Sequence, residues 1–141
     1  MFRLCCVFLA TSLVVVAKPT WEIDPHGNVI LGGDLAGVRA VVSMHGPNWS
    51  SASAMNITAS EWTATSAKGA MDAPAGCQGQ LQFTTEVRAV GEAVELAYTM
   101  QFTEATEITG AYVSLFLPVD RFVGQRAALL RSKGGRCCPP R

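Results

Sequence analysis

The sequence predicts an all-β fold, an antiparallel β-sandwich incomplete at its C-terminus, and three observations carry that expectation. Between residues 80 and 118 three successive segments alternate apolar and polar side chains, the period of two that belongs to strands with one face buried. Upstream, shorter alternating stretches are punctuated by turn signals such as Pro25-His26-Gly27-Asn28 and Gly32-Gly33-Asp34, the spacing of short strands in a two-sheet fold. Downstream of the N-terminal apolar run, no segment makes a convincing amphipathic helix.

The elements follow in chain order. Met1-Phe2-Arg3 opens the chain with one positive charge, and apolar runs at residues 4–10 and 13–17 flank Thr11-Ser12. That is the layout of a cleavable signal peptide, residues 1–17, ending at Val15-Val16-Ala17 before Lys18-Pro19. The run falls short of the roughly 20 apolar residues that span a bilayer, so a secreted product, extracellular or periplasmic and free of the membrane after cleavage, is expected. Residues 18–131 then form one β-sandwich domain, a size for which a single core is ordinary, and residues 132–141 form a disordered basic tail.

Within the domain, Trp21-Glu22-Ile23-Asp24 and Val29-Ile30-Leu31 read as strand, turn, strand. Val38, Ala40, Val42 and Met44 share a face of a further strand that stops at Gly46-Pro47. Residues 48–59 read as loop, residues 61–67 as a short strand carrying Trp62, and residues 68–79, with three glycines and a proline, as another loop. Leu81, Phe83 and Val87 define the first long strand; Val94, Leu96, Tyr98, Met100 and Phe102 define the second and surest. In residues 108–117 both faces are apolar, Val113, Leu115 and Leu117 opposing Tyr112 and Phe116. A central strand covered on both sides is expected there.

Charge narrows the partners. From residue 18 to residue 120 four basic residues face eleven acidic ones, a net −7, while six basic residues and no acid follow. An acidic body argues against nucleic acid, whose phosphates require clustered Lys and Arg. Of five cysteines, Cys5 and Cys6 leave with the leader, and the remaining Cys77, Cys137 and Cys138 allow one bridge from Cys77 to a tail cysteine.

Chemistry is sparse. His26 and His45 sit in no catalytic or metal-ligand spacing, and Glu86 and Glu95 fall on polar strand faces where solvated carboxylates are ordinary. No catalytic residue, no metal and no cofactor are therefore expected. Aromatic side chains offer more, because an aromatic face can stack on the apolar face of a sugar ring while its edge stays near water. Trp49, in the polar Pro47-Asn48-Trp49-Ser50 loop, and Trp62 are the candidate ligand-binding residues. Asn48-Trp49-Ser50 and Asn56-Ile57-Thr58 both match the N-glycosylation acceptor pattern.

The stretch Ala111-Tyr112-Val113-Ser114-Leu115-Phe116-Leu117-Pro118-Val119-Asp120-Arg121-Phe122-Val123-Gly124, preceded by Val94-Glu95-Leu96-Ala97-Tyr98-Thr99-Met100, resembles β-sandwich accessory domains near the N-terminus of large secreted bacterial glycoside hydrolase-like proteins. Trp21-Glu22-Ile23-Asp24-Pro25-His26-Gly27-Asn28 is similar to their opening strand and turn. The resemblance covers residues 21–124 and rests on strands and turns. It implies a non-catalytic module that binds polysaccharide or packs on an adjoining catalytic domain, and it carries over no catalytic residue. A freestanding secreted structural or adhesion module is the alternative, distinguished by edge strands and self-association.

Overall fold

The computed structural model describes residues 9–14, 20–57 and 59–124. Besides three single 3-10 turns, at Gly33–Leu35, Pro47–Trp49 and Ala54–Asn56, the described residues form ten strands and one short α-helix, in order β1 (Leu9–Val14), β2 (Trp21–Ile23), β3 (Val29–Leu31), β4 (Arg39–His45), β5 (Ser51–Ser53), β6 (Glu61–Trp62), β7 (Ser66–Asp72), β8 (Gln80–Val90), β9 (Ala93–Phe102), β10 (Gly110–Phe116) and α1 (Val119–Phe122). They form two antiparallel sheets. One has the strand order β1-β9-β8-β7-β6, and the other has the order β10-β4-β3-β2 with β5 also pairing with β4.

A single apolar cluster receives side chains from both sheets, so the fold is the all-β sandwich that the alternation predicts. From the first sheet come Leu81, Phe83 and Val87 of β8 and Val94, Leu96 and Tyr98 of β9, all buried, with Met100 and Phe102 packed partly buried against them. Gln82, Glu86 and Arg88, one residue out of phase, are exposed. From the second sheet come Ile23, Val29, Leu31, Ala40, Val42 and Met44. Burial of each such side chain is worth roughly 1.5–3 kcal/mol, which explains why the period of two is so strictly kept in β8 and β9.

The β2–β3 turn shows how a local sequence fixes an element. The buried Asp24 carboxylate accepts hydrogen bonds from the backbone N–H groups of His26 and Asn28 at 2.9 and 3.0 Å and from the Asn28 side-chain amide. Asp24 N–H in turn donates to the Asn28 carbonyl at 3.0 Å. The turn is then fastened to the other sheet, where the buried Thr85 hydroxyl lies 3.4 Å from the Gly27 carbonyl.

Three expectations change. Residues 66–72, most of them expected in a loop, form β7, central between β6 and β8. Ala67, Gly69 and Met71 are buried and alternate with exposed Lys68, Ala70 and Asp72, but two of the three inward residues are too small to register as an apolar pattern. The small residue is required: a Cβ on Gly69 would stand 2.6 Å from Cζ of Phe83, its direct partner across the strand pair. Residues 51–53, also expected in a loop, pair with the end of β4.

Third, β10 is an edge strand rather than a central one. Residues 103–109 carry the chain from the first sheet to the second, so β10 lies beside β4 and not beside β9, the strand that precedes it in the chain. Ala111 and Val113 pack against the core. Leu115, Phe116 and Leu117 remain 43–51% exposed.

Within the segment expected to be a signal peptide, Leu9–Val14 pairs along the outer edge of β9, from Leu9↔Tyr98 to Val14↔Ala93. The basic tail, Cys137 and Cys138 lie outside the described residues. No helix among the described residues is long and apolar enough to cross a membrane.

Candidate functional site

At one end of the second sheet three aromatic rings form a strip. The His45 ring at the end of β4 meets Trp49 edge-on at 5.4 Å between centroids and lies 5.5 Å from the tilted ring of Tyr112 of β10. Strand register explains the second contact. Tyr112 pairs with Ser43 and Gly110 with His45, so Tyr112, Ser43 and His45 share one face, and the two rings are diagonal neighbours within reach of each other.

Trp49 is 72% exposed, the most exposed of the three tryptophans. Its backbone has φ +61°, and Asn48 before it has φ +57°. Asn tolerates the left-handed region, but a bulky side chain there costs about 1–2 kcal/mol. The surrounding loop holds that conformation. Gly46 N–H donates to the Ser50 carbonyl at 2.8 Å, and the Ser50 hydroxyl donates to the Ala75 carbonyl at 2.7 Å.

Neighbouring chain locks the same loop from two more directions. Thr109 donates through its backbone N–H to the His45 carbonyl at 2.8 Å and through its hydroxyl to the Gly46 carbonyl at 2.9 Å. The Cys77 thiol donates to the Glu107 carbonyl at 3.2 Å, and a Cβ on Gly46 would come within 2.6 Å of that sulfur. Three loops, residues 46–50, 74–77 and 107–109, thus converge to present Trp49 outward. The Nδ1 of His45 is buried without a hydrogen-bond partner among the described residues.

Trp62 lies elsewhere. It belongs to β6 at the far edge of the first sheet, paired with Ala67 and 47% exposed, and its ring meets no other aromatic ring among the described residues. The two tryptophans are therefore not brought together. Sequence reasoning missed His45 and Tyr112 as companions of Trp49; the available signal was only that each falls on the outward phase of its own strand, since the β4–β10 pairing that joins them is not written in either segment.

Other groups offer less. Glu86, Arg88 and Glu95 line a shallow depression of about 400 Å³ on the outer face of the first sheet. Arg88 Nη2 donates to Glu95 Oε1 at 2.8 Å, and this carboxylate raises the guanidinium further above its ordinary value. Glu95 is engaged as an ion pair across β8 and β9. A second depression, lined by Lys68, Ala70, Gln82, Thr84, Thr99 and Gln101 over the buried Phe83, has no aromatic floor open to solvent. Among the described residues no three of His, Cys, Asp and Glu converge on a metal-sized site. Of the two glycosylation patterns, Asn48 is exposed at the loop tip, and the other includes Thr58, outside the described residues.

Comparison with protein-family models, curated proteins and solved structures returned no match.

Proposed function

We propose that this chain is an exported, non-catalytic β-sandwich module of a carbohydrate-active protein, and that it holds polysaccharide on the Trp49–His45–Tyr112 strip. One observation carries the reading: a tryptophan kept 72% exposed on left-handed backbone. Exposing an indole forgoes its burial, and the backbone adds a conformational cost; such strain is characteristic of sites where the side chain must face a ligand. The exposed Trp49 ring suits the apolar face of a pyranose, with the His45 ring inclined at 66° to it and Tyr112 at 36° to His45, and the half-buried Ser114 hydroxyl nearby, 3.2 Å from the buried Ser43 hydroxyl, supplies a group able to bond a sugar hydroxyl. The sequence resemblance to accessory domains of secreted glycoside hydrolase-like proteins supports the same reading, with an adjoining catalytic domain as the second partner.

The test uses insoluble cellulose, xylan, chitin and starch with wild type and Trp49→Gly. Glycine removes the indole and accepts the positive φ, so unfolding stability stays within about 1 kcal/mol of wild type. Retention on at least one polysaccharide should fall tenfold or more. If wild type is retained on none of them, or the variant is retained equally well, the proposal fails.

A further inference from the structure

The open edge of β10 lacks the protection that the short edge strands β2 and β6 carry. β2 has three residues and β6 two, and β6 carries the Glu61–Lys68 ion pair at 3.1 Å. The other edge of the first sheet is β1, six uncharged residues within the expected leader, whose removal leaves β9, carrying Glu95, at that edge. Brevity and charge are devices that discourage edge-to-edge pairing. β10 has neither of them. It is seven residues long, no charge occurs from residue 108 to residue 119, and no proline interrupts the strand.

That neutral stretch belongs to an acidic body. Residues 20–124 carry four basic and eleven acidic side chains, so two copies approaching by most faces bring like charges together. The β10 edge is where they can approach without doing so. It also continues directly into exposed Leu117, Val119 and Val123, at 51, 73 and 71%, which extend the apolar surface past the end of the strand. Consecutive exposed apolar residues of this kind mark association surfaces.

From these observations we infer that β10 pairs antiparallel with β10 of a second copy of this chain, joining the second sheets of two sandwiches across a two-fold axis. Pairing centred on Val113 sets Gly110 opposite Phe116 and Ala111 opposite Leu115. Each large exposed side chain then meets a small one, and no charge is buried. Such an interface is isologous and closes at two copies.

Sedimentation of the full chain from micromolar to millimolar concentration tests this, with Phe116→Lys and, as a control on the other sheet, Val90→Lys. Phe116 and Val90 are 46% and 50% exposed, so both variants should keep the β circular dichroism of wild type. Wild type should sediment as a dimer that dissociates on dilution. Each lysine puts a charge, opposite Gly110, on a pairing edge that has none, and should weaken the dimer by at least tenfold, about 1.4 kcal/mol, while Val90→Lys matches wild type. A monomer at all concentrations overturns the inference, whether or not a strand-forming peptide binds the edge; so does equal weakening by both variants.

Discussion

At the scale of single residues, the interior holds one group whose ionisation the fold resists. Tyr98 is 2% exposed, and its hydroxyl has no hydrogen-bond partner among the described residues. Burial raises its pKa above the ordinary value of 10.0, because the phenolate would lie in the apolar interior. The sign follows from proton binding. Above pH 10 the unfolded chain releases a proton that the folded chain retains, so the unfolded state binds fewer protons and stability falls as pH rises. The contribution is complete below the unfolded value and is lost progressively above it. Tyr98→Phe removes this titration, and at neutral pH it removes a hydroxyl that bonds nothing, a change worth within about 1 kcal/mol. Urea midpoints of the two proteins should therefore be close at pH 7, with Tyr98→Phe equal or higher, and should diverge above pH 10 as wild type alone loses stability from this group. Parallel curves through the alkaline range would show that Tyr98 reaches water.

At the scale of elements, the long strands were legible because each alternates large apolar side chains with polar ones, as Leu81, Phe83 and Val87 do. β7 was not, because Gly69 makes room for Phe83 and so contributes no apolar signal of its own. The same limit applies to β10: periodicity identifies which face a residue takes but not which strand lies beside it, so two apolar faces suggested a covered strand where the chain in fact crosses to the edge of the other sheet. β1 raises a different question, since its six residues fall inside the segment that resembles a cleavable leader. β9 keeps its ten-residue register with β8 without β1, so removing residues 1–17 takes one neighbour from β9 and leaves the other. Mass spectrometry of the exported product should place its N-terminus at Lys18. Residues 18–141 should still give a β spectrum, less stable to urea than the full chain made without export by roughly 2 kcal/mol for the lost cross-strand pairs. An exported product beginning at Met1, or an unfolded 18–141 chain, would mean that β1 is a permanent strand of the sheet.

At the scale of the whole molecule, the site was half legible. Trp49 stood out in a polar loop, whereas His45 and Tyr112, 67 residues apart in sequence, become neighbours only through the β4–β10 register. Because that register places the strip beside the open edge, the two proposals couple. A dimer joined through β10 carries two Trp49 strips on one body, and on a polymer with repeated sites the second strip binds at a high effective concentration once the first is engaged. A short oligosaccharide engages one strip at a time and gains nothing from the second. Phe116→Lys, which separates the copies and leaves Trp49 in place, should therefore reduce retention on an insoluble polysaccharide by tenfold or more while leaving the titration-calorimetric affinity for a short oligosaccharide of the same sugar unchanged. Loss of both together would place Phe116 in contact with the sugar itself. Loss of neither would mean that the two strips face sites too far apart on the polymer to be occupied at once.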